Sequence, residues 1–126
     1  MLVETTGVYL AYTRVFLETM KVSEALAGLA GKITKDALAR AYKTMKEGGP
    51  DWFIYMDGDP QEDRTEDEER TAVKHVPGLP EKVYAILEDY GDPETWDTIY
   101  PPEVAADLRA VNMKRHKLTI MFASDY

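Results

Sequence analysis

The chain of 126 residues carries 23 Asp and Glu against 15 Lys and Arg, a net charge of −8, and 44% of its residues are hydrophobic. This length and composition predict one globular domain over residues 1–126, with an ordinary core. The lack of cysteine excludes disulfides and thiolate chemistry, and no apolar run reaches roughly 18 residues, so we predict a cytoplasmic protein without a membrane span.

The first predicted elements are two helices. Residues 8–20 are apolar on most faces of a helical wheel and lack strict alternation, which favours a helix, with a strand over the first half as the alternative. Residues 22–30 predict a short helix that is capped by Ser23 and stopped by Gly31.

The clearest helical pattern covers residues 34–47, between the candidate N-cap Thr34 and the terminating Gly48. Basic side chains form a stripe beside its apolar face, and a basic helix can lie along phosphates in the major groove. A helix-turn-helix DNA-binding regulator over residues 22–46 is therefore the alternative function. Its candidate DNA-binding residues are Lys32, Lys35, Arg40, Lys43 and Lys46.

The middle of the chain begins with an apolar, aromatic run over residues 51–57, which predicts a buried strand. Residues 58–78 show no periodicity and predict a long acidic loop, whose order the sequence leaves open. Oxygen-bearing side chains from Asp57 onward follow the spacing of a twelve-residue calcium loop. Glu62 stands where that loop needs glycine, however, and Pro60 restricts its backbone. We interpret this stretch as a solvated loop with no metal.

The second half predicts two more helices and a strand. Residues 80–90 have helical spacing, the turn around Trp96 and Ile99 is expected to anchor to the core, and a last helix begins at Pro101. Residues 118–126 predict a strand that pairs with residues 52–56. The apolar residues expected to face the core in the two helices are Val83, Ile86, Leu87, Tyr90, Val104, Leu108 and Val111.

These elements together predict the fold class. It is α+β and mainly helical, with four to five helices and a small two- or three-stranded sheet in a single domain.

Groups that could support catalysis are scarce. The chain has two histidines and two serines, and it contains neither a glycine-rich phosphate loop nor a zinc-ligand spacing. We interpret His75 and His116 as surface imidazoles. The sequence therefore predicts a protein that is not an enzyme and needs no cofactor.

The charge is unevenly distributed along the chain. Residues 51–103 hold 16 acidic and four basic residues, whereas both ends are mildly basic. A negative surface attracts a basic partner over long distances and can occupy a groove meant for nucleic acid. The composition resembles in general terms that of small acidic inhibitors encoded by phages and mobile elements, without a motif that identifies a family.

We therefore predict a non-catalytic protein-binding or inhibitory protein of the nucleic-acid-mimic type. Its partner would be a basic, nucleic-acid-binding protein, and the oligomeric state is left open, a homodimer included. The predicted acidic face consists of Asp57, Asp59, Glu62, Asp63, Glu66, Asp67, Glu68, Glu69, Glu88, Asp89, Asp92, Glu94 and Asp97.

Overall fold

The computed structural model describes residues 7–58 and 72–126, which form a five-stranded mixed sheet and four α-helices. The class is α+β as predicted, but the expectation of a small two- or three-stranded sheet is wrong. The strands are β1 (Val8–Tyr12), β2 (Trp52–Met56), β3 (Ala72–His75), β4 (Val83–Asp89) and β5 (His116–Phe122), and the helices are α1 (Arg14–Met20), α2 (Glu24–Glu47), α3 (Trp96–Ile99) and α4 (Pro102–Ala110).

The strand order in the sheet is β1-β5-β4-β2-β3. Strand β4 runs antiparallel to both β5 and β2, whereas the β1–β5 and β2–β3 pairs are parallel. Strands β1 and β3 are therefore the edges of the described sheet. The final strand forms, but it covers His116–Phe122 rather than residues 118–126. Its predicted pairing with residues 52–56 is wrong because β4 lies between the two.

The helix predicted over residues 80–90 is wrong, because residues 83–89 form strand β4. Val83, Ala85 and Leu87 are buried, while the residues between them are half-buried. This period of two is typical of a strand. The neighbouring strands β2 and β5 provide backbone hydrogen-bond partners for β4 on both sides. Spacing alone misled the prediction, because positions 83 and 87 satisfy both a helical and an alternating pattern.

Residues 8–20 form strand β1 and helix α1 rather than one helix, so the strand alternative is correct for the first half. The chain changes from strand to helix at Thr13, which has extended backbone angles and precedes the first residue of α1. The predicted strand over residues 51–57 is confirmed as β2.

Helix α2 is continuous over 24 residues, where two separate helices were predicted. Ser23 is its N-cap, as predicted, and its Oγ accepts a hydrogen bond from the N–H of Leu26 at 3.1 Å. Gly31 and Thr34 lie in the helix interior, so the turn required by the helix-turn-helix hypothesis is absent from residues 22–46. An interior glycine costs only about 1 kcal/mol relative to alanine, which tertiary packing outweighs.

The predicted loop over residues 58–78 contains strand β3, which pairs with β2. The acidic residues between 59 and 71 lie outside the described residues.

The core forms where α2 crosses one face of the sheet. Buried residues of α2 pack against alternate side chains of the strands, with Phe16 of α1 at one end. Ala37 and Ala41 are fully buried, and their small side chains bring the helix close to the sheet. The core residues are Val8, Phe16, Met20, Ile33, Ala37, Leu38, Ala41, Phe53, Tyr55, Leu79, Val83, Ala85, Leu87, Leu118, Ile120 and Phe122.

The region after β4 confirms one predicted anchor and corrects others. Trp96 is 2% exposed, and its indole N–H donates to the carbonyl oxygens of Tyr90 and Gly91 at 3.1 and 3.2 Å. Ile99 is 52% exposed and is not an anchor. In α4 the buried residue is Ala105, whereas Val104 and Val111, both predicted to face the core, are exposed. No helix in the described part of the chain has the length and hydropathy needed to span a bilayer.

Candidate functional site

A groove of about 780 Å³ lies between α1, α2 and β1. Its walls are formed almost entirely by apolar atoms, and it opens to solvent. The lining residues are Leu10, Tyr12, Phe16, Leu17, Met20, Lys21, Ala27, Ala30, Gly31, Thr34, Lys35, Leu38, Ala39 and Tyr42.

The groove lies between α2 and β1, an edge strand of the described sheet. One stripe of α2, which contains Ile33, Ala37 and Ala41, is buried in the core. A second stripe, from Ala27 to Tyr42, lines the groove together with Leu10 and Tyr12 of β1. The helix therefore has two apolar faces, and the sheet covers only one of them.

Aromatic side chains of β1 and α1 close one end of the groove. The rings of Tyr12 and Phe16 are stacked with their centroids 5.9 Å apart, and Phe16 packs against Phe122 of β5 at 5.2 Å. The hydroxyl groups of Tyr12 and Thr34 lie 2.9 Å apart and share a hydrogen bond, which joins β1 to α2. Each hydroxyl keeps further hydrogen-bonding capacity toward a ligand.

The charged residues of the groove all have one sign. Lys21 and Lys35 are exposed and line the groove, and no Asp or Glu is among its lining residues. In a chain with 23 acidic residues, this is a local reversal of the overall charge.

A polar network fixes α2 on the opposite side of the helix. The hydroxyl of Tyr55 on β2 donates to the Asp36 carboxylate at 2.7 Å, and Arg40 Nε donates to the same oxygen at 2.7 Å. Burial, together with the hydrogen bond to Asp36, raises the pKa of Tyr55 well above its usual value. The phenol is therefore protonated at neutral pH. A smaller cavity of about 310 Å³ lies beside Asp36, Tyr55 and His75.

The structure neutralises part of the predicted acidic face. Arg115 donates two hydrogen bonds to Asp89 at 3.0 and 3.1 Å, and Arg109 binds Asp97 in the same bidentate way at 2.8 and 3.2 Å. The hydrogen bonds from Arg115 and from the N–H of Gly91 hold the pKa of Asp89 below its usual value. These two carboxylates are therefore paired internally, contrary to their predicted role as free acidic groups.

Four other described residues of the predicted face remain exposed. Asp57 lies 3.5 Å from His75 Nε2, and Glu88 lies opposite Lys117 in the β4–β5 register. Asp92 accepts a hydrogen bond from the N–H of Glu94 at 3.0 Å. The remaining predicted residues, which lie outside the described ranges, are Asp59, Glu62, Asp63, Glu66, Asp67, Glu68 and Glu69.

The net charge of the chain is concentrated in the same interval. Residues 59–71 hold seven acidic and two basic residues, whereas residues 7–58 and 72–126 hold 15 and 13. The described domain is therefore close to charge balance.

The predicted DNA-binding residues do not form one basic surface. Arg40 is engaged with Asp36, Lys35 lines the groove and Lys32 lines the smaller cavity. Lys43 and Lys46 are exposed near the C-terminal end of α2. Side chains that were grouped on a helical wheel thus have different environments.

No family model, curated protein or solved structure matches the chain. Within residues 7–58 and 72–126, no group of three or more His, Asp and Glu side chains is placed to hold a metal ion. The candidate site is therefore defined by its geometry.

Sequence reasoning missed the groove. The signal that could have indicated it is the spacing of Ala27, Gly31, Ala39 and Tyr42, which adds a second stripe of small and apolar residues to the one required by the core. The division of α2 into two predicted helices separated these residues and hid the stripe.

Proposed function

We propose that this protein acts by binding a protein partner, without catalysis, and that an apolar segment of the partner lies in the groove between α1, α2 and β1. The observation that carries the proposal is the open, almost wholly apolar lining of that groove. Concave, mostly apolar sites with a few polar groups are where proteins commonly bind ligands.

The dimensions of the groove suit a peptide segment. Its stripe on α2 runs from Ala27 to Tyr42, which spans about 22 Å at the rise of an α-helix. That length accommodates an amphipathic helix of about 15 residues or about seven residues of extended chain. Recognition of a helix in an apolar groove is a recurrent mode of peptide binding.

The polar groups elsewhere support a binding role over a catalytic one. Asp36, Asp89 and Asp97 each accept hydrogen bonds from an arginine of the same chain. These pairs engage carboxylates that acid–base chemistry would need.

Two glycines of α2 provide a matched test. A Cβ atom at Gly28 or Gly31 would meet nothing within 4 Å, and neither residue has a positive φ. Only Gly31 lines the groove. Gly31→Leu should therefore fill the groove without disrupting α2, and Gly28→Leu controls for the change in helix propensity.

The experiment is a selection of random twelve-residue peptides displayed against the wild-type protein. We expect enriched peptides to lose most of their affinity for Gly31→Leu and to keep it for Gly28→Leu. Equal binding to both variants would place the interaction elsewhere, and a failure to enrich any peptide would refute the proposal.

A second candidate function keeps the acidic surface as the binding site. We propose, as the alternative, a nucleic-acid-mimic type of inhibitor that binds a basic, nucleic-acid-binding protein. The exposure of Glu88, Asp92 and Glu94, together with eight carboxylates in residues 57–69, supports it. Such a surface would increase the rate of association at low salt.

The test of this alternative uses a labelled oligolysine peptide as the basic probe. Replacement of Glu88, Asp92 and Glu94 by their amides should weaken binding more than the same change at Glu24, Glu47 and Asp51, which are exposed elsewhere. An equal effect of the two triple variants would mean that only net charge matters, and the acidic face would lose its role.

A further inference from the structure

The groove has a charge preference opposite to that of the whole chain. We infer that the partner segment is acidic as well as apolar, with carboxylates beside its apolar residues that pair with Lys21 and Lys35. This inference rests on the proposed function and adds the chemistry of the partner. It also distinguishes the groove from the acidic surface, which would take a basic partner.

The lack of ion-pair partners for the two lysines among the described residues supports the inference. Every arginine in the described part of the chain, namely Arg14, Arg40, Arg109 and Arg115, forms an ion pair with a carboxylate. Neither Lys21 nor Lys35 forms an ion pair with any described carboxylate, although both lie at an apolar surface where such a pair would be strengthened. Their ammonium groups are available to a ligand.

The positions of the lysines suit one bound segment. Lys21 is the C-cap residue of α1, at the end of the groove closed by that helix, and Lys35 lies on the α2 wall. A segment that covers the apolar lining would exclude water from both ion pairs, which strengthens them relative to exposed pairs. Only one of the Tyr12 and Thr34 hydroxyl groups uses its proton in the hydrogen bond between them, so the other can donate to a carboxylate.

The net charge of the chain makes a test of this inference selective. A protein with a net charge of −8 repels an acidic peptide at long range, so non-specific electrostatic forces oppose the capture of that peptide. Binding of an acidic peptide would therefore report the local lysines and the groove.

The experiment uses two displayed peptide libraries of equal length and equal apolar content. The polar positions hold only Asp and Glu in one library and only Lys and Arg in the other. We expect the acidic library to be enriched on the wild-type protein at least about tenfold more than the basic library, the effect of a pairing free energy of about 1.4 kcal/mol.

Charge variants identify the residues responsible. Lys21→Glu with Lys35→Glu should abolish the enrichment of acidic peptides, and the milder pair Lys21→Gln with Lys35→Gln should weaken it. The matched control is Lys43→Glu with Lys46→Glu, which makes the same change of charge on α2 outside the groove lining. Thermal melting of each variant shows that it is folded before it is compared.

The outcomes separate the inference from the proposed function. Equal or greater enrichment of basic peptides, or equal effects of the two lysine pairs, would overturn the inference. Peptide binding in the groove then stands only if Gly31→Leu abolishes the enrichment. Enrichment of neither library would overturn both. If dodecanoate then binds the wild type and Gly28→Leu but not Gly31→Leu, the groove takes a small amphiphile instead of a protein segment.

Discussion

The hydroxyl of Tyr55 on β2 donates a hydrogen bond of 2.7 Å to the carboxylate of Asp36 on α2, which also accepts from Arg40. This contact joins β2, an inner strand of the sheet, to the helix that forms one wall of the groove. The orientation of the groove therefore depends on a polar link on the other side of α2.

Tyr55→Phe should lower the free energy of unfolding by about 1–2 kcal/mol, because a hydrogen bond to a charged, partly buried acceptor is lost while the ring still fills its site. Urea denaturation measures the change. Tyr9→Phe is the control, since no hydrogen bond of the Tyr9 hydroxyl is present among the described residues. An equal effect of the two variants would mean that the hydrogen bond from Tyr55 to Asp36 does not contribute to stability.

The same tyrosine should make stability sensitive to alkaline pH. The pKa of Tyr55 is higher in the folded protein than in the unfolded chain, so its contribution is complete below pH about 10 and is lost as the pH rises beyond it. The difference in unfolding free energy between wild type and Tyr55→Phe should therefore shrink above pH about 10. A constant difference between pH 8 and 11 would contradict this assignment.

Replacement of two glycines by alanine should change the stability of the protein in opposite directions. Gly31→Ala should stabilise the protein by up to about 1 kcal/mol, since Gly31 lies inside the helix with open space around a Cβ atom. Gly91→Ala should destabilise it, because Gly91 has a φ of +82° and a Cβ atom would lie 3.0 Å from Ile99 Cδ1. Destabilisation by Gly31→Ala would instead support a turn at this position.

The Asp89–Arg115 pair should contribute to stability only where Asp89 is ionised. The pKa of Asp89 is lowered in the folded protein, so its contribution is present above the unfolded value of 3.8 and is lost as the pH falls below it. Arg115→Gln should therefore destabilise the protein slightly at pH 7, with a smaller effect as the pH falls below about 4. Lys114→Gln makes the same change of charge at the neighbouring position and should lack this dependence on pH.

Local signals predicted some elements of the fold correctly. Ser23 is a strong N-cap residue, and the aromatic run of β2 is short and bounded by Pro50 and Gly58, so each carries its structural signal within a few residues. Strand β4 was misread because Ala85, which is fully buried, carries too little hydrophobicity to reveal the alternation of Val83 and Leu87.

The second apolar stripe of α2 is a local pattern, but the open groove beside it could not be predicted from such patterns. It exists because β1 is an edge strand, and that position follows from a strand order determined by contacts between distant parts of the chain. Likewise, the pairing of Asp89 with Arg115 and of Asp97 with Arg109 joins residues that are not neighbours in sequence. Residue composition gives the number of charges but not the partners of each.

The parallel pairing of β1 with β5 has a consequence for the biogenesis of the protein. Val8 lies opposite His116, so the floor of the groove is fixed by a strand that the ribosome makes about a hundred residues later. Contacts this distant in sequence slow folding. A nascent chain that stops at Lys114 should therefore lack a formed groove and fail to retain the selected peptides, so partner recognition would begin only after translation of β5.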